Sequence, residues 1–442
     1  MTQRSSWIVS VVCAALCATA NALPLQSRGG PTPRAVPRTA TAMLGVADWG
    51  ANYGSQSSLL KGANDSLALG VQNVMVALGP NYGTVDYPGT HFNAPIRNLK
   101  DEASNPAFRT VFAMPFQTIA IDASPITVPD FLNPKDPNGE YKALYAEYYN
   151  LISYLMQTYR GTGKTFIVKN WEGDNAFYYA NQEASHPSID TEIQNMRLYL
   201  QARHDALVQA RKDFASYSGV AVQDAIEINS VNCARNGSTP CMLKDVVPYV
   251  ESDMISYSSY ETINTGVQKG DLTGQINRDL SDIRNVPGVN GRPLMIGEFG
   301  FGANALAADG AAEATTTAVS AFLANGVSYA FDWQIKDSGG ADTTLGLIDS
   351  NGNRTPSWKA VHSLVTTPLK SGAIASRQPM SSTSLSTVRL APSWAVSAQP
   401  TAYVPLSENI PQVSEDLPGA SLEDARIMAI RSSAHSARLL RR

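Results

Sequence analysis

The chain reads as a (β/α)8 TIM barrel, α/β in class, with a signal peptide ahead of it and a disordered C-terminal tail behind. Three observations predict this. From Met43 onward, short apolar runs alternate with longer segments of helical period, the pattern of a parallel sheet crossed by helices. Eight such runs occur before residue 368, and eight strands each followed by a helix close a barrel of roughly 250 residues plus insertions. No glycine fingerprint for a dinucleotide accompanies them, which disfavours the main alternative, a doubly wound open sheet.

The elements follow in order. Residues 1–22 carry Arg4, an apolar stretch from Trp7 to Ala20 and the small-x-small pattern Ala20-Asn21-Ala22, the marks of a secretory signal peptide too short for a membrane span. Residues 23–42, rich in Pro, Gly and Arg without periodicity, read as a linker or pro-segment. The barrel is expected over 43–368. Its strands are predicted in "MLGVADW" (43–49), "VQNVMVALG" (71–79), "RTVFAMPF" (109–116), "TFIVKNWE" (165–172), "AIEINSVN" (225–232), "DMISYSSYE" (253–261), "RPLMIGEFG" (292–300) and "VSYAFDWQ" (327–334). The clearest helices are predicted from Glu140 to Tyr159, Ile189 to Phe214, Leu272 to Arg284, Ala311 to Asn325 and Ser357 to Thr366. Residues 369–442, dominated by Ser, Ala, Pro and Thr, read as a disordered tail.

Composition narrows the function. A formal net charge of -4 gives no basic surface for nucleic acid, and past the first residues no run of eighteen apolar residues marks a membrane span. The expected product is secreted, and the sequence leaves its oligomeric state open. Cys13 and Cys17 depart with the signal peptide, leaving Cys233 and Cys241 to close a short loop as a disulfide in an oxidising compartment. Asn64, Asn236 and Asn353 open N-x-[ST] sequons and are candidate glycosylation sites. The five histidines are scattered with no pair at metal spacing, and no nucleophile elbow occurs, so neither metal nor cofactor is expected.

The chemistry concentrates at the carboxyl ends of the strands, where barrel side chains face the active site. Glu172 ends the fourth run and Glu298 the seventh, on roughly opposite sides of the barrel. Two carboxyls facing one another across a bound bond are what glycoside hydrolysis requires, one to protonate the leaving oxygen and one to attack the sugar carbon or direct water at it. Sugar rings present apolar faces, and Trp49, Trp171 and Trp333 fall at predicted strand ends, with Trp333 the expected platform. Asp48, Asn232 and Gln334 sit where hydroxyl-binding groups are expected. Tyr257 or Tyr260, both assigned to the sixth run, is expected to donate to Glu298; alternation allows only one of them there. Glu227 reads as a structural carboxylate in mid-strand, Asp174 and Glu261 as solvated loop residues, and Asp332 as facing away from the barrel interior.

Around these positions the chain resembles the clan A glycoside hydrolases, retaining (β/α)8 enzymes. The resemblance covers about residues 43–367 and rests on "KNWEGDN", "IGEFG", "FDWQ" and "DTTLGLIDSNGNRTPSWKAV". It implies Glu172 as general acid/base and Glu298 as nucleophile. Where the clan places Asn directly before the acid/base glutamate, this chain has Trp171, and Asn170 lies two residues back. Period two puts Asn170 on the face of Glu172, within expected reach of a sugar hydroxyl. The expected activity is cleavage of a β-linked cell-wall polysaccharide or oligosaccharide. The alternative is a non-catalytic, secreted carbohydrate-binding or host-interacting barrel.

Overall fold

The computed structural model describes residues 39–82, 86–181, 187–289, 291–302, 306–338 and 344–367. The predicted signal peptide, nearly all of the linker and the tail lie outside these residues.

Eight parallel strands close on themselves in sequence order. They are β1 (Leu44–Ala47), β2 (Asn73–Leu78), β3 (Thr118–Ala123), β4 (Lys164–Lys169), β5 (Val220–Ile228), β6 (Met254–Ser258), β7 (Leu294–Phe299) and β8 (Ala330–Asp332). β1 pairs with both β2 and β8, so no edge is left open.

Alternation along each strand divides the buried side chains into two layers. Ala47, Met75, Ala120, Ile167, Ala225, Met254, Met295 and Phe331, one from each strand, form a cluster of their own with Trp49 and Trp333, which fills the barrel. Their neighbours, such as Val46, Ile121, Val168 and Ile226, join the larger cluster shared with the helices. Gly45 belongs to the inner set, because a Cβ there would meet the Phe331 ring at 2.5 Å.

The third strand differs from the expectation. "RTVFAMPF" lies mostly in a helix, Pro106–Ala113, whose first turn is capped by Asn105 Oδ1 accepting from Ala107 N at 3.1 Å and opened by Pro106. Its buried residues Ala107, Phe108, Val111 and Phe112 recur at helical spacing. The strand is the next segment, "TIAIDA". Its displacement by one element brings Asp122 into the barrel.

The other expected elements stand within a few residues of their predicted limits, as in the helices Pro137–Thr158 and Ile189–Asp213. The barrel also begins slightly early: Ala40 and Met43, in a helical turn at Ala40–Met43, are fully buried, and Thr41 donates to Val365 O at 2.8 Å.

Candidate active site

The segment "VKNWEGDN" turns from apolar to polar because each residue after Val168 meets a different environment. Lys169, two residues on from inward Ile167, points into the barrel, and its Nζ lies 2.6 Å from Asp122 Oδ2 and 3.2 Å from Glu227 Oε2. Asn170 is turned the other way and is occupied by the backbone. Its amide donates to Trp171 O at 2.7 Å and Glu227 O at 3.2 Å, and its oxygen accepts from Glu227 N at 3.0 Å and Arg203 at 3.4 Å. The expectation that it reaches a sugar hydroxyl is therefore corrected: the amide clamps β4 to β5.

Glu172 caps the helix Gly173–Ala180 and is 7% exposed. Asn175 Nδ2 donates to its Oε2. Burial first, then the charge of Glu227, push its carboxyl up to about 7, the range of a group that holds its proton near neutrality. Asp174 is no solvated loop residue. It accepts from the backbone N–H groups of Asn229 at 2.9 Å, Ser230 at 3.1 Å and Met242 at 2.7 Å, tying down the loop after β5. Glu261 holds the same loop through Val231 N at 2.8 Å.

Glu298 reaches the interior through an irregularity. Met295 faces inward, so Gly297 does too, and regular alternation would send Glu298 outward. The register between β6 and β7 shifts between Ser256 and Ser258, setting Ser258 opposite Glu298. Gly297 is required here, since a Cβ would overlap the Glu227 carboxylate and Ser256 Oγ. Tyr260 OH donates to Glu298 Oε2 at 3.3 Å, while Glu298 Oε1 has no hydrogen-bond partner among the described residues. Burial and then the negative charge of Glu172 raise Glu298 well above the usual carboxylate range, opposed by the Lys169 ammonium. The two glutamates thus titrate as a pair, each disfavouring the other's charge.

Of the tyrosine alternatives, Tyr260 is the donor, and it opens the helix after β6 instead of lying on the strand. Tyr257 faces the outer layer, bonded to Thr262 Oγ1 at 2.7 Å.

Two further expectations are corrected. Asp48 follows inward Ala47 and so points outward, against the helix Ser58–Leu69, where only Gly62 leaves room for it. Asn232 lies beyond β5 in a short helix; it is exposed and accepts from Arg235 at 3.1 Å. Gln334, by contrast, is buried with its side-chain oxygen unpaired among the described residues, which leaves its expected place among the hydroxyl-binding groups untested.

The tryptophans do gather. Trp49 and Trp333 meet edge to face with ring centroids 5.2 Å apart, and the Trp333–Gln334 peptide is cis. A recess of about 470 Å³ opens between Trp49, Trp171, Asp86 and Asp122. Asp86 Oδ1 accepts from Trp49 Nε1 at 2.8 Å, and burial pushes this carboxyl up to about 6. On the far side of Trp171 a more apolar recess of about 830 Å³ is lined by Phe131, Met196 and Tyr179.

Sequence reasoning missed Lys169, Asp122 and Asp86. Lys169 carried a signal, a charged residue in step with Ile167 on a strand; Asp122 was hidden by the misplaced third strand; Asp86, from the loop after β2, carried none.

Cys233 and Cys241 form the expected disulfide, with Cα atoms 5.7 Å apart. Asp174 lies beside it, but with both sulfurs bonded to each other the three residues offer no thiolate to a metal. Asn64, Asn236 and Asn353 are all exposed.

No protein-family profile and no curated protein matches the sequence. Among solved structures, the chain is similar to a GH5_18 protein from Streptomyces cattleya in complex with GlcNAc, at 16% identity and TM-score 0.48, over 74% of this chain and 80% of that one. It is similar to a GH5_18 protein from Bifidobacterium longum subsp. infantis at 15% identity and TM-score 0.47, over 70% and 73%. A family 5 xyloglucanase from Paenibacillus pabuli aligns at 12% identity and TM-score 0.44, over 74% and 98%. At such identities and scores these likenesses decide nothing about activity.

Proposed function

We propose that the protein is a retaining glycoside hydrolase acting on a β-linked glycan. The observation that carries this reading is the electrostatically coupled pair Glu172 and Glu298, buried at the carboxyl ends of β4 and β7, with Trp171, next in sequence to Glu172, walling a recess together with Trp49. In this reading the Glu298 carboxylate attacks the anomeric carbon. The bond to the leaving oxygen breaks as that oxygen takes the proton of Glu172. Water then gives a proton to Glu172 and displaces the sugar from Glu298, restoring both carboxyls. Trp333, packed against Trp49, serves as the platform, and Asp86 and Asp122 offer acceptors to hydroxyls. The assignment of roles within the pair rests on strand order and on the resemblance.

We further propose that the protein is exported. The N-terminal pattern, the disulfide and the three exposed sequons support this.

The test is reducing-sugar release from a panel of β-glucans, mannans, xylans and galactans, with Glu298→Gln as the blank. Release by the wild type alone supports hydrolysis and names the substrate class. Silence on every substrate from a folded protein moves the reading to a carbohydrate-binding barrel without turnover.

A further inference from the structure

Beneath the glutamate pair lies a set of charges that the reaction as written does not use. Lys169, Asp122 and Glu227 come from β4, β3 and β5, and none is more than 1% exposed. Lys169 Nζ stands 2.6 Å from Asp122 and 3.2 Å from Glu227, and Ser258 Oγ, on β6, donates to Glu227 Oε1 at 2.7 Å. The charge of the ammonium also acts on Glu298, from β7, and on Glu172, just past the end of its own strand. Farther out, Asp86 faces Asp122, Tyr260 stands against Glu298 with Asp332 behind it, and Arg203 approaches Asp122 from the outer helix Ile189–Asp213. Four carboxyls thus share the charge of one ammonium, two of them in direct contact with it.

We propose that Lys169 is a positioning residue, clamped between Asp122 and Glu227, whose ammonium lets one of Glu172 and Glu298 stay ionised while the other holds a proton. The inference rests on the glycosidase reading for its use in catalysis, though not for the charge balance itself.

A buried carboxyl that lacks a compensating cation takes up a proton. Burial disfavours the ammonium too, but Asp122, Glu227 and Glu298 outweigh it and raise Lys169, so the charge is present across the working range. Removing it takes the opposing charge away from Asp122, Glu172 and Glu298, and each of these then gains a proton more readily. A nucleophile protonated in this way cannot attack. A lysine that only braced the barrel would change stability and leave the protonation of the pair where it was.

The experiment compares wild type, Lys169→Met and Lys169→Arg by the pH dependence of kcat and by infrared titration of protonated carboxyls. Lys169→Met should move the acid limb of the profile upward by about one to three pH units, the effect of an opposite charge at this range. Lys169→Arg should restore the wild-type profile. If Lys169→Met does not fold, Asp122→Asn/Lys169→Met removes the closest pair together, leaves Glu227 as the uncompensated neighbour, and should still move the limb upward. A folded neutral variant with the wild-type profile and carboxyl titration overturns the proposal. The infrared reading needs no turnover, so a shift there in a protein that hydrolyses nothing upholds the role of Lys169 and sinks the hydrolase reading instead.

Discussion

Strand β5 carries a buried carboxylate on each face, and the two sit in clusters of different make-up. Glu227 points inward to a cluster rich in carboxyls, where the neighbouring Glu172 and Glu298 are pushed up. Asp224 points outward, 3.1 Å from His204 Nδ1 on the helix Ile189–Asp213, and accepts from Asp253 N at 2.8 Å. Asp253 in turn is held by Arg211 at 3.0 and 2.5 Å. Burial works against the charge of Asp224, yet His204 overcomes it and brings the carboxyl down to about 2. Depth alone therefore decides nothing. In the outer cluster His204 matches Asp224 and Arg211 matches Asp253, although burial and then the charge of Asp224 still raise Asp253; the inner one has more carboxyls than cations, so Glu172 and Glu298 hold protons that chemistry can use.

The comparison breaks first at Glu298. Glu298→Gln should cut turnover roughly 10⁴-fold or more while leaving unfolding unchanged, and undiminished activity refutes the assignment. Glu172→Gln should lose about 10²–10⁴-fold on poor leaving groups and far less on good ones, which need little protonation. An equal loss across a series of leaving groups would count against an acid role.

The outer cluster should answer in stability instead. Asp224→Ala removes one partner of a buried pair and should lower the free energy of unfolding by about 3–5 kcal/mol in urea titration, with the pH profile of turnover unmoved. A shifted profile would dissolve the division between the two faces. Replacing Cys233 and Cys241 together with serine opens a short loop and should cost about 2–3 kcal/mol by the same titration, again without loss of turnover.

The smallest effects are pH slopes, and their signs differ. Burial lowers His204 but Asp224 outweighs it, so its folded-state pKa is raised. Its contribution is full below the ordinary histidine value of about 6.5 and is lost as pH rises through the folded value. Asp224, depressed to about 2, contributes above its ordinary value of about 3.9 and loses that share as pH falls. Melting temperatures of His204→Gln against wild type should converge at alkaline pH and diverge below neutrality; a constant gap would reject the pairing.

The barrel and its glutamate pair were legible in the sequence because strands four and seven are apolar runs that end in a carboxylate. The third strand was not. "TIAIDA" is short and carries an aspartate inside it, whereas "RTVFAMPF" is longer and holds two phenylalanines; the Asn105-Pro106 cap signal and the helical spacing of Phe108, Val111 and Phe112 were the available correction. With the inner face known, period two puts Lys169 inside and Asp48 outside, against the expected hydroxyl-binding place of Asp48, but it fails at Asn170 and would have sent Glu298 outward. Asn170 lies past the last strand residue, and Glu298 lies at a register shift. Alternation does not carry across the end of a ladder or an irregularity in it.

The central claim is that Glu298 forms a bond to sugar while Glu172 supplies the proton. Incubation with 2-deoxy-2-fluoro-β-glycosides bearing an activated leaving group, across the sugars of the substrate panel, followed by peptide mass analysis, tests it most directly. A glycosyl adduct on the peptide containing Glu298, absent from Glu298→Gln, is the predicted result. An adduct on Glu172, or hydrolysis of the panel with no adduct on either glutamate, would contradict it.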